Sequence, residues 1–276
     1  MTKVVISGYA TVDYVVHAAA RFTGQGTVAM RTPPDGQWPR PGGAVLYAGR
    51  QLAAAGHGTW PLTWIGDDQD GACYRRAAVS AGMEPAGIAP VSDTSTTRCL
   101  MIYDPDGGHG CLLQVGKTIL SDGQRALLAA SDLLVLTAGP ADATQTLLHG
   151  LPPAARLAWI VKPDSACFPP DLARNIGGRA DWLFCNSSER GWLETYRQGG
   201  RSGQVVFETR GGDGVAVDAG GISALLPVAP LVVRDPTGAG DSFAGAALAA
   251  LLDGAAPIEA ARHGVAAAAN LLRRRG

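Results

Sequence analysis

The 276-residue chain predicts an α/β fold: a mostly parallel β-sheet layered between helices, with a small β-sheet standing off it as a lid. Three observations carry this. Short apolar, β-rich runs alternate with segments of helical period, which is the pattern of parallel strands joined by crossover helices on both faces of one sheet. Two segments break the alternation and read as hairpins, and hairpins inserted into such a series often form a separate small sheet able to cover a site. Apolar residues make up 46% of the chain and charged residues 17%, enough for a large core without staples.

In chain order, "VVIS" (4–7) reads as the first strand. Residues 13–32 read as two strands around Gly24-Gln25-Gly26. "AVLYAGRQLAAAG" (44–56) sets Leu46, Gly49, Leu52 and Ala53 on one helical face and ends at Gly56. "TWPLTWIG" (59–66) returns to strand, and "GACYRRAAVSAG" (71–82) is helical up to Gly82. "RCLMIYDPDGGHGCLLQV" (98–115) is a hairpin turning through "DPDGGHG". "LLVLT" (133–137), "LAWIV" (157–161), "DWLFCN" (181–186) and "QVVFET" (204–209) are buried strands with helical segments between most of them. No repeat and no charged or Ser-rich linker divides the chain. The expectation is therefore one domain over 1–276 with a discontinuous lid from about 13–40 and 96–116.

The bulk numbers exclude several classes. A net charge of −1 gives no basic surplus for nucleic acid. No apolar run reaches the ~18 residues of a membrane span, and "MTKVVISGYA" is not a signal peptide. Cys73, Cys99, Cys111, Cys167 and Cys185 are odd in number, widely spaced and lack a C-x-x-C, so reduced thiols in a cytoplasmic protein are expected. Val15, Val28 and Met30 on an exposed lid suggest a homodimer formed through it.

"GCLLQVGKT" (110–118) nearly spells a phosphate-binding loop, but the required glycine falls at Cys111 and the preceding residues pair as a hairpin strand. "GAGDSF" fails as a dinucleotide fingerprint because Phe243 holds the third glycine position. "VVRDPTGAGDSFAG" (232–245) reads instead as strand, tight glycine turn and helix, the helix running from about Asp241 to Leu252. Gly238, Ala239 and Gly240 can gather backbone N–H groups into an anion site at that helix N-terminus. Asp241 has two readings: a carboxylate capping the helix, or a general base beside a nest that stabilises charge in transit. The second suits phosphoryl transfer to a hydroxyl.

"DPTGAGDSF" (235–243) resembles the C-terminal signature of the ribokinase, or phosphofructokinase B, family of small-molecule kinases. Further motifs follow the family's order: "SGYATVDYVV" (7–16), "PGGAVLYAGRQLAAAG" (41–56), "NSSE" (186–189) and "ETRGGDGVAV" (208–217). The likeness runs from about residue 3 to the end. It implies a ribokinase-like α/β/α sandwich with a lid, and an ATP- and Mg²⁺-dependent kinase acting on a hydroxyl of a small sugar or polyol. It makes Asp241 the base and the amides of Gly238, Ala239 and Gly240 the phosphoryl site. It puts substrate against Asp13, Gly42, Gly43, Tyr47 and Lys162. Asn186 and Glu189 would organise Mg²⁺ through water, and Thr209, Gly211, Gly212 and Thr237 would line the nucleotide. In some members the residue matching Asp235, with its carbonyl, binds a monovalent cation such as K⁺.

The chain departs from the family at two places within its motifs. Tyr47 stands where many sugar kinases of this type carry Asn, and Ala138 where a polar residue is frequent; both turn the expectation from ribose toward a nucleoside or cyclic polyol. The triple arginine 273–275 is expected to be a solvated helix end opposing the macrodipole. A nucleoside kinase of the same fold and a non-catalytic sugar or nucleotide sensor are the alternatives.

Overall fold

The first strand, β1 (Lys3–Ser7), alternates between two cores: Val4 and Ile6 enter one, Val5 the other. All three are buried, as a central strand covered on both faces requires. The structure is a computed structural model that describes residues 1–31, 38–106, 108–197, 201–233 and 235–275. Residues 32–37 of the expected lid, Gly107 of the expected turn and Arg234 lie outside the described residues.

After β1 come β2 (Thr11–Ala18), β3 (Met30–Arg31), β4 (Arg40–Gly42), α1 (Ala44–Ala54), β5 (Gly58–Gly66), α2 (Gln69–Ser80) and β6 (Ile88–Val91). Next are β7 (Thr97–Tyr103), β8 (His109–Gln114), α3 (Asp122–Ala129), β9 (Leu133–Leu136), α4 (Ala141–Gly150) and β10 (Arg156–Ile160). The chain closes with α5 (Pro170–Arg179), β11 (Trp182–Asn186), α6 (Ser187–Tyr196), β12 (Val205–Thr209), β13 (Val215–Ala219), β14 (Ile222–Leu226), α7 (Ala239–Leu252) and α8 (Pro257–Arg273).

The main sheet has the order β14-β13-β12-β11-β10-β9-β1-β5-β6. It is parallel from β6 to β12, and β13 and β14 add an antiparallel edge. Helices α1, α7 and α8 pack on the face reached by Val4 and Ile6. Helices α3 to α6 cover the face reached by Val5 through Leu128, Leu147, Leu172, Ile176 and Leu193. The small residues of α7 permit close packing: a Cβ on Gly245 would lie 2.3 Å from the Ala48 carbonyl oxygen, so α1 and α7 meet backbone to backbone. Among the described residues no helix is long and apolar enough to cross a membrane.

The second sheet runs β3-β2-β7-β8, with β4 paired to β2 on the same edge as β3, opposite β7. β2 and β7 are parallel, while β7 and β8 form the antiparallel hairpin expected over 98–115. The near-miss phosphate loop is thereby disposed of, since residues 110–114 are strand. Three expectations need correction. Val15 is only 8% exposed, because the register Asp13↔Cys99 and Val15↔Met101 puts it on the same, inward face as Asp13. Val232 and Val233 form no strand and are exposed; β14 already holds the sheet edge, and Pro227, Pro230 and Pro236 remove the amides an added strand would need. The helix after the glycine turn starts at Ala239, two residues earlier than expected.

Candidate active site

Parallel strands deliver their last residues to one edge of the sheet, where α7 also begins. Ser7 ends β1, Asn186 ends β11 and Thr209 ends β12, and Lys162 follows shortly after β10. The turn before α7 is built from unusual backbone. Gly238 is the N-cap in a left-handed conformation, φ 77°, and no side chain caps this end. A side chain at Gly238 would also strike the Tyr47 ring, 2.5 Å away, so glycine is required twice over.

This arrangement corrects two sequence expectations. Asp241 is the third residue of the helix, not its cap. The Ala239 N–H donates to the Pro236 carbonyl at 3.1 Å and so is spent within the turn. The first bond of the helix itself runs from Ser242 N–H to the Gly238 carbonyl, 2.9 Å, which leaves the Gly240 and Asp241 amides as unpaired donors of this end among the described residues. Beside Gly240 there is open space: a Cβ built there meets nothing within 4 Å. Asp241 is half-buried, and burial pushes its carboxyl up to about 6. Lys162 pulls against that shift, while Glu189 and Asp13 add to it.

Asp13 is buried on β2 and accepts a 2.9 Å hydrogen bond from the Thr11 hydroxyl. Burial raises its carboxyl above the ordinary range, against Thr11 and Arg40. Gly42 pairs with Thr11 across the β2–β4 ladder, diagonal to Asp13, and a Cβ on Gly42 would lie 1.8 Å from Asp13 Oδ2. Gly43, φ 84°, caps α1 over Thr11. Gly42 therefore makes room for the Asp13 carboxylate, and Gly43 for the Thr11 hydroxyl that holds it.

Asn186 and Glu189 form a capping box on α6. The Asn186 side chain accepts from Glu189 N–H at 3.0 Å, and Glu189 Oε2 accepts from Asn186 N–H at 2.9 Å. Burial raises the Glu189 carboxyl, and the cap and the Lys162 charge oppose it. Thr209, Gly211 and Gly212 lie along the β12–β13 turn. A Cβ on either glycine meets nothing within 4 Å, so this ledge is open.

The structure puts Tyr47 and Asp235 elsewhere than the family pattern implies. Tyr47 is 2% exposed, with its ring under Gly238 and its hydroxyl accepting from Arg275 Nη2 at 2.8 Å. It floors the glycine turn and is not open to a substrate. Asp235 pairs with Arg40 Nη2 at 2.6 Å and Arg275 Nη1 at 3.5 Å, and accepts from Thr237 N–H at 3.0 Å. Thr237 and Arg40 hold its carboxyl below the ordinary range despite burial.

Sequence reading missed four residues that bind the turn to its surroundings. Arg40 and Tyr103 come from the lid, the latter sharing a 2.9 Å hydroxyl bond with Thr237, and Met101 Sδ lies 3.9 Å from Thr237 Oγ1. Arg275 comes from beyond α8. Only Arg40, two residues before the "GG", sat near a recognised motif.

A parallel sheet with a glycine turn and a carboxylate at its C-terminal edge, roofed by a small sheet, defines a phosphotransferase site. The model of the pfkB family carbohydrate kinases matches residues 1–276, and the chain belongs to that family. Members transfer a phosphoryl group to a hydroxyl acceptor. A cytidine kinase of Thermococcus kodakarensis is 27% identical over 268 residues, 88% of this chain and 92% of that protein. A ribokinase of Cryptococcus neoformans var. grubii, solved with ADP, superposes with a TM-score of 0.82 at 22% identity, over 97% of this chain and 93% of that one. A Burkholderia thailandensis nucleoside kinase in complex with inosine gives 0.81 at 17%, over 99% and 92%.

Proposed function

We propose that the protein transfers the γ-phosphoryl group of ATP to a hydroxyl of a small polyhydroxy compound, a sugar or polyol, with Asp241 as general base. The observation that carries this is a half-buried carboxylate, shifted to about 6, directly beside the unpaired Gly240 and Asp241 amides. The acceptor oxygen bonds to the γ-phosphorus as its proton passes to Asp241; the bond to the β-phosphate oxygen breaks and ADP leaves. Gly238 shapes the turn, and the amides beyond it meet the charge gathering on the phosphoryl oxygens. Asp13, held by Thr11 and given room by Gly42, accepts hydrogen bonds from substrate hydroxyls. Lys162, exposed after β10, balances the carboxylates Asp241 and Glu189 and meets incoming phosphate. The nucleotide lies along Thr209, Gly211 and Gly212 and reaches Thr237.

No group of three or more ligating side chains lies together among the described residues. That fits Mg²⁺, which keeps its waters and is held by nucleotide phosphates with one or two protein oxygens. Glu189 and Asn186 would be those residues. Bound there, the ion would supply charge neutralisation to the nucleotide phosphates.

A nucleoside is the second reading, favoured by the inner face of the lid. Beyond Asp13 that face carries Val15, His17, Met101 and Tyr103, with the His17 and Tyr103 rings stacked at 5.4 Å. This is a surface for an aromatic base more than for a free sugar. Unbridged cysteines support a cytoplasmic protein. Met30 and Leu112 stand exposed on the lid and suit a homodimer, which light scattering tests.

The deciding experiment is ADP release with Mg-ATP across sugars, sugar acids, inositols and nucleosides. Asp241→Asn should lose about 10²–10⁴ in kcat with its fold intact. A fully active variant rejects the base. Saturable ligand binding with no ADP from the wild type on any acceptor points to a sensor.

A further inference from the structure

The three arginines after α8 do not share one environment. Arg273 and Arg274 are exposed, whereas the Arg275 side chain is only 15% exposed. Its guanidinium is spent in four directions. Nη1 donates to the Thr237 carbonyl and lies 3.5 Å from Asp235 Oδ2. Nη2 donates to the Tyr47 hydroxyl at 2.8 Å, and the guanidinium carbon sits 5.3 Å from the Tyr47 ring centroid.

We propose that Arg275 is a positioning residue for phosphoryl transfer: a built-in cation that holds the 235–238 turn and replaces a bound monovalent ion. The inference rests on the kinase reading for what the turn receives, but the turn's geometry stands apart from it. A peptide unit is planar, and its C=O and N–H point in opposite directions. Pinning the Thr237 carbonyl to Arg275 therefore aims the Gly238 N–H away from Arg275. Stacking against Tyr47 fixes the ring on which Gly238 rests. A forked, planar guanidinium serves a carbonyl, a hydroxyl and a carboxylate at once, which an ammonium cannot do in one plane.

Charge points the same way. Arg40 and Arg275 both face Asp235, and the Asp13 carboxylate lies within electrostatic reach of both arginines. Two guanidinium groups already seated beside the turn disfavour K⁺ there. The Asp235 carboxylate is taken by two guanidinium groups and the Thr237 N–H, and the Thr237 carbonyl is taken by Arg275. These donors do not fit the monovalent cation that the family resemblance implies at Asp235.

The test compares wild type, Arg275→Ala, Arg275→Lys and Arg274→Ala in potassium and in tetramethylammonium buffers. Wild-type kcat should change by less than about twofold between the two salts, whereas Arg275→Ala should lose about 10–10² in kcat with a far smaller change in KM. Guanidinium, or K⁺, should restore part of that loss. Arg275→Lys should fall between, and Arg274→Ala should match wild type. Wild-type activation by K⁺, or an Arg275→Ala kcat equal to wild type, overturns the proposal. Hydrogen exchange of the 235–243 amides supplies a readout that needs no turnover. It should quicken in Arg275→Ala at nearly unchanged Tm, and unchanged exchange in that variant overturns the proposal even if the wild type phosphorylates no acceptor tried.

Discussion

The two sheets meet at the site on unequal terms. The main sheet is covered on both faces, and its strand residues Val4, Ile6, Leu133, Val135, Leu134 and Leu136 are all fully buried. The lid sheet gives one face to the site and leaves apolar residues on the other exposed, Leu112 among them. Dense burial makes the main sheet a fixed base, because a shift there opens voids in a close-packed interior. The lid has no second layer among the described residues. It reaches the 235–238 turn through Arg40 to Asp235 and Tyr103 to Thr237, and Arg98 of β7 ties it to Asp68 and Asp70 at the start of α2. The same site is thus built from a base that resists change and a cover held by polar contacts.

Substitutions at the base should cost most. Gly238→Ala forces a left-handed φ on a residue with a Cβ, about 1–2 kcal/mol, and drives that Cβ into the Tyr47 ring, another ~1–3 kcal/mol of overpacking. Chemical denaturation should show that combined loss; a variant as stable as wild type would mean the turn relaxes freely and is not fixed by its floor.

The proposed general base comes next. With Asp241 shifted to about 6, the carboxylate is ionised above that pH and protonated below it. The pH profile of kcat/KM should therefore fall about tenfold per unit below 6. Lys162→Met removes the charge that favours ionisation, so the limb should move to higher pH. A limb that stays in place would remove Lys162 from the electrostatics of the site.

Loosening the cover should cost least. Tyr103→Phe deletes the hydroxyl shared with Thr237, worth about 0.5–1.5 kcal/mol. The expected result is a KM raised several-fold, with kcat and Tm nearly as in wild type. A drop in kcat with KM unchanged would place Tyr103 with the base, and the contrast between the sheets would narrow.

Most of the base was legible in the sequence, and the reasons are local. β-branched runs and glycine stops mark the strands and helices without reference to partners, and α1 ends at Ala54 just short of the predicted Gly56. Asp13, Gly42, Gly43, Asp241 and the capping box of Asn186 and Glu189 lie in short motifs whose geometry is set within a few residues. What escaped was set over long range. Arg275 meets Tyr47 across 228 positions, and Tyr103 meets Thr237 across 134. A residue in a run of three arginines carries no local mark of burial. Nor does a tyrosine on a helix show that a glycine turn far along the chain rests on it. Even Val15 was misassigned because the parity of β2 depends on which strand it pairs with.

The stack of Arg275, Tyr47 and Gly238 has a consequence for how this enzyme can vary. Three distant codons encode one object, and none can mutate freely while the other two remain. A larger residue at 238 needs a smaller one at 47, and a smaller one at 47 strips Arg275 of both its hydroxyl acceptor and its aromatic partner. Routes to an asparagine at 47, the residue many sugar kinases of this type carry there, therefore pass through intermediates that have lost the floor of the turn. The shape of the glycine turn is in that sense tied to Tyr47 and Arg275 together.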